Sequence, residues 1–125
     1  MPGRERGAAT VELTVLAPVL LLVVFSIVQV GLWSYARSLA LGAAQEGVAA
    51  GRSYRAPADS ARDRAEAFLA ATAGDSLRGS AVSATASAGT VHVEVTGRSL
   101  SVLPGVPGLP VHQGAHGPIE RFSAP

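Results

Sequence analysis

One stretch limits this chain more than any other. From Leu13 to Trp33 the sequence is LTVLAPVLLLVVFSIVQVGLW, with no charged residue. As a helix its 21 residues would reach roughly 32 Å, enough to cross a hydrocarbon core of about 30 Å. The expectation is a single membrane-spanning helix. Before it stands a short leader, Met1–Gly7 (MPGRERG), with Arg4 and Arg6 directly ahead of the apolar run. Positive residues there favour a cytoplasmic N-terminus and an exported C-terminal part, although Arg37 and Arg52 on the far side nearly cancel the asymmetry. The apolar run exceeds the 7–15 residues or so of a secretory h-region, so retention as an anchor is expected over removal.

Outside that run the chain is built from small residues. Fewer than 100 of the 125 residues remain for a water-exposed part, which bounds it at one small domain. Phe, Tyr and Trp number three, two and one, so a core built from them would be thin and stability is expected to depend on the long helix or on neighbours. The net charge of +1 is interspersed, leaving no basic field for nucleic acid. With no cysteine there is no disulfide, thiolate metal site or thiol nucleophile.

Glu12 lies at the edge of the apolar run. As a boundary charge it would sit among headgroups at little cost. Its spacing supports a sharper reading. Were the chain cut after Gly7, Ala8 would carry a new α-amine and Glu12 would stand one helical turn away. A carboxylate near an amine at the edge of low dielectric pairs within the helix or with the amine of an adjacent subunit, and the second arrangement sets register in a lateral assembly. Pro18 lacks an N–H and would free the carbonyl of Thr14, so a gentle kink is expected. Ser26 and Gln29 are expected to bond their own backbone or a neighbouring helix.

A small residue and Gly, four residues, Glu and then a hydrophobic helix is the processing pattern of type IV prepilin-like proteins, and RGAATVELTVLAPVLLLVVFSIVQVG resembles the N-terminus of TadE-like proteins. Those are pseudopilins of the tight-adherence (Flp) pilus system. The likeness continues through AAQEGVAAG, residues 43–51, and weakly in the closing GPIERF. The resemblance implies a membrane-embedded aspartic prepilin peptidase cutting between Gly7 and Ala8, with Glu12, the fifth mature residue, in recognition or assembly. Leu13 follows the glutamate where an aromatic often stands in pilins of the system.

Beyond the span, Trp33 and Tyr35 are placed as an aromatic belt where the helix leaves the bilayer. The helix is expected to continue through Arg52, because Ala36, Ala40, Ala43, Gly47 and Ala50 recur at three- and four-residue steps and leave one face bare for close packing. Ser53–Pro57 breaks it. A second, amphipathic helix follows, opened by Pro57 and Asp59, closed by Gly74 and folded back on the first. Its stripe is Ala61, Ala65, Phe68, Leu69 and Thr72, with Arg62 and Glu66 as a solvated i,i+4 pair.

Ser80–Ala88 and Val91–Thr96 alternate and read as a β-hairpin turning at Gly89-Thr90, with Val91, Val93 and Val95 inward and His92 and Glu94 facing solvent. A third short strand is open through Leu100 and Val102. The remainder is expected as an extended Pro/Gly-rich arm or loop. His112 and His116 have the spacing of a zinc-finger pair, but no Cys accompanies them and Gly114 and Gly117 argue against the helix it needs.

These readings give an α+β chain: leader 1–7, transmembrane helix 8–35, small exported domain 36–103 and C-terminal arm 104–125. No Ser-His-Asp order, P-loop or dinucleotide loop is present, so no enzyme, cofactor, metal or small-molecule substrate is expected. The expected role is that of a TadE-like minor pilin or assembly protein in the cell membrane. Its partners would be lipid, a prepilin peptidase, other pilin-like subunits and the assembly platform. A secreted binding protein released near Leu41, or an anchored structural protein unrelated to pili, are the alternatives; the mature N-terminus discriminates among all three.

Overall fold

The computed structural model describes residues 2–53, 56–103 and 105–119, with side chains from residue 7 onward. Tyr54 and Arg55, in the expected break, and Glu120–Phe122, in the GPIERF resemblance, lie outside the described residues. Among the described residues the order is α1 (Pro2–Ser53), α2 (Pro57–Thr72), a 3-10 turn (Gly74–Ser76), β1 (Leu77–Ser87), β2 (Thr90–Ser99) and β3 (Pro110–Pro118). The expected α+β fold is the one observed, with a long apolar helix, a second helix and a three-stranded antiparallel sheet.

α1 runs through Pro18 without a break. Its upper half carries the small residues: Ala36, Ala40, Ala43 and Ala44 are fully buried. A Cβ at Gly47 would lie 2.7 Å from the Ala61 carbonyl oxygen, and one at Gly51 would lie 2.7 Å from that of Pro57. Only glycine lets α2 approach that closely, so the three-residue steps in the sequence mark a packing face.

Pro57 opens α2 in its first turn, and Ala61, Ala65 and Leu69 are buried against α1. Thr72 is exposed and returns its hydroxyl to the Phe68 carbonyl, and Ala73 is buried instead. Gly74, at φ +51°, follows the C-cap Ala73 as expected of a C′ residue. Arg62 pairs with Asp59 at 3.6 Å and not with Glu66. Arg64 reaches Glu46 of α1 at 3.2 Å.

β2 is the central strand of the β1-β2-β3 sheet. Val91, Val93 and Val95 are fully buried on its inner face, as the alternation predicts. The hairpin turns on Ala88 and Gly89, both at positive φ, one residue before the expected pair; Ser87 faces Thr90 across the two-residue loop. β1 begins at Leu77, ahead of Ser80, because a bulge between Arg78 and Ala81 restores register, with Gly79 at φ +59°.

The C-terminal stretch differs most from expectation. Residues 110–118 are extended, as read, but they are paired to β2 as an edge strand, from Arg98↔Pro110 to Thr90↔Pro118. Its two prolines fall at the strand's ends, where a missing N–H costs little, and the interior VHQGAHG contains none. Leu100 and Val102 form no strand. The third strand comes ten residues later because the intervening segment is held by α1.

Candidate functional site

The sequence-derived positions Gly7, Ala8 and Glu12 lie on the first turns of α1 and are exposed. A Cβ added at Gly7 would meet nothing within 4 Å. Glu12 stands one turn beyond Ala8, beside the exposed side chains of Val11, Leu13, Val15 and Leu16. From Val11 to Val30 large apolar side chains face outward on every side of the helix, Leu22 at 64% and Ile27 at 67% exposed. The helix from Gly7 to Ser53 contains a window of mean hydropathy 2.6 and is a candidate membrane span, by length and composition. Thr14 and Ser26 return their hydroxyls to Thr10 and Leu22 carbonyls at 2.7 Å, so these two polar groups are satisfied within the helix.

Gln29 does something the sequence does not reveal. Its side chain is buried, and Nε2 donates to the Leu100 carbonyl at 2.9 Å and approaches Ser99 Oγ at 3.4 Å. Its Oε1 accepts from the Val102 N–H at 3.0 Å. The amide therefore substitutes for a strand partner along residues 100–102, where no strand forms. Four residues on, Trp33 Nε1 donates to the Pro110 carbonyl at 3.1 Å, and the Arg37 guanidinium lies 4.8 Å above the Trp33 ring. Trp33 is thus half-buried against the head, in addition to standing where the sequence places an aromatic belt. At the far end Arg52 Nε donates to the Pro118 carbonyl at 3.0 Å. The head touches α1 from Gln29 upward, seven residues before the sequence-derived start at Ala36.

The outer face of the sheet brings the three histidines and Glu94 together. His92 Nε2 is 3.2 Å from Glu94 Oε1, His112 Nε2 is 3.8 Å from Oε2, and the His92 and His116 rings stack at 6.1 Å. His112 and His116 sit on a strand and not on a helix. Among the described residues no group of three or more His, Cys, Asp or Glu is arranged to hold a metal ion. A cleft of about 350 Å³ between α2 and β1 is lined by Leu69, Ala73, Leu77, Val82 and Ser80, and among the described residues Glu66 is the one ionisable group in its wall.

The fold and these positions define a class: a chain with one candidate N-terminal span whose helix continues unbroken into a small α+β head. Residues 7–49 match the family described as TadE-like protein. The resemblance carried by GAATVELTVLAP and AAQEGVA is therefore borne out over α1 from the glycine before the proposed cut to within the Ala/Gly face. That match supports a role linked to tight-adherence pili. No curated protein and no solved structure matches the chain.

Proposed function

We propose that this chain is a TadE-like minor pilin or pseudopilin that acts in assembly of a tight-adherence pilus. Its N-terminus is cytoplasmic, α1 is the single anchor and the head is exported. A prepilin peptidase removes the leader between Gly7 and Ala8. The Glu12 carboxylate then pairs with the α-amine of Ala8 on an adjacent pilin-like subunit. The work is assembly and not turnover, and it calls for no cofactor, nucleic acid or small-molecule substrate. Lipid, the peptidase, sister subunits and the assembly platform are its partners.

The observation that supports this most is the lower half of α1, apolar and exposed on all sides, with Gly7, Ala8 and Glu12 at its beginning. Such a surface needs lipid or other apolar helices around it. Gly7→Ala tests the processing step cleanly, because the added methyl group has open space. Mass spectrometry of the N-terminal peptide from the native host's membranes should find wild type beginning at Ala8 and the variant uncut. A variant chain still beginning at Ala8 removes Gly7 from the site. Glu12→Ala should remain cut yet lose co-purification with pilin-like subunits; retained co-purification removes Glu12 from the assembly contact.

A further inference from the structure

We propose that the loop between β2 and β3, in its described residues 100–103 and 105–109, is a second membrane contact, which seats Val106 and Leu109 in the lipid interface beside α1. This rests on reading α1 as the span. The loop lies at the membrane-facing end of the head. β2 starts at Thr90, paired with Pro118 near Arg52, and ends at Ser99 beside Gln29, so it descends along α1 toward the apolar half. Gln29 is four residues, or about 6 Å, below Trp33 on the helix axis. It is flanked by the exposed Val28 and Val30, within the uncharged run that begins at Leu13. A loop held by that amide is held at the depth where the span's own apolar surface is exposed.

Its chemistry suits that depth. Residues 99–111 carry no ionisable side chain. Among the described residues, the only large apolar side chains counted as exposed outside α1 are Val106, at 45%, and Leu109, at 37%. In low dielectric every unsatisfied backbone polar group is costly, and here several of the loop's polar groups find partners within the loop or on its neighbours. Ser99 N–H donates to the Leu109 carbonyl at 3.0 Å, and the Leu109 N–H donates to Ser99 Oγ at 3.1 Å. The Val106 N–H donates to the Leu103 carbonyl, and the Ser101 hydroxyl lies 2.6 Å from the Val106 carbonyl. Pro107 and Pro110 have no N–H to satisfy. Gln29 adds partners for the Leu100 carbonyl and the Val102 N–H. Arg98, at the neck of the loop, donates to the Gly108 carbonyl at 3.3 Å and so stands where headgroup phosphates would lie.

The chain has no cysteine, so single-cysteine variants of the full protein can carry an environment-sensitive fluorophore in phosphatidylcholine–phosphatidylglycerol vesicles. Val106→Cys reports the loop, Leu20→Cys the middle of the span and Asp63→Cys the exposed outer face of α2. The expected result is blue-shifted emission quenched by nitroxide-bearing lipids at Leu20→Cys and at Val106→Cys, with water-like, unquenched emission at Asp63→Cys. Lipid-quenched Leu20→Cys beside water-like Val106→Cys overturns the loop contact and leaves the span intact. A blue-shifted Val106→Cys that nitroxide lipids do not quench also overturns it, in favour of contact with a second copy of the chain. Water-like emission at Leu20→Cys removes the span, and the loop contact with it.

Discussion

The two halves of α1 invert the usual relation between residue size and burial. Below Gln29 the helix carries Leu, Val, Ile and Phe, and these are exposed; above it the buried positions are held mostly by Ala and Gly, with Leu39 and Val48. In a water-soluble protein the large apolar residues would be the core. Here the core of the head is alanine and valine, with Leu39, Leu69 and Leu77 the largest side chains in it. The difference teaches that one continuous helix presents two kinds of surface, a candidate membrane span below and a closely packed face above. Its lower half gains stability from what surrounds it, and its upper half from how closely other elements approach.

That contrast can be broken experimentally, beginning with close approach. Gly47→Val would push against the Ala61 carbonyl and the Val93 side chain, and should destabilise the head by about 3 kcal/mol, read as a lower urea midpoint in detergent micelles. An unchanged midpoint would mean the upper half is not the packing face. Gln29→Leu keeps the bulk but strips partners from the Val102 N–H and the Leu100 carbonyl. A loss of about 2 kcal/mol is expected, with faster hydrogen exchange at Val102; protection equal to wild type would show the amide to be dispensable.

Arg64→Ala removes an exposed pair with Glu46 and should cost at most about 0.5 kcal/mol, a larger loss indicating that charge and not close packing joins α2 to α1. Leu21→Ala, in the lower half, should leave the head's urea midpoint within about 0.5 kcal/mol of wild type, since its side chain is exposed. A clear drop there would mean the halves are not independent.

Periodicity made most of the inner architecture legible. The alternation of Val91, Val93 and Val95 gave β2, and the small-residue steps from Ala36 to Gly47 gave the face that α2 covers. Proline and glycine density obscured β3, because composition counts residues while pairing depends on where they fall; Pro110 and Pro118 only bracket the strand. In the sequence Gln29 looks like a polar residue that bonds its own backbone or a neighbouring helix. Its partners are 70 to 73 positions away, and no local pattern points to them. At the candidate site, Gly7, Ala8 and Glu12 were legible from spacing and resemblance, whereas the head's attachment at Gln29 and Trp33 required the fold.

The absence of any joint between anchor and head has a mechanical outcome. From Gly7 to Ser53 one uninterrupted helix serves both parts, so the orientation of the head follows from that of the segment below it. Adding one residue between Val23 and Val24 would turn the head by about 100° and raise it about 1.5 Å. The direction in which this head points is therefore written as a residue count in the candidate span, and a neighbour that grips that segment aims the head.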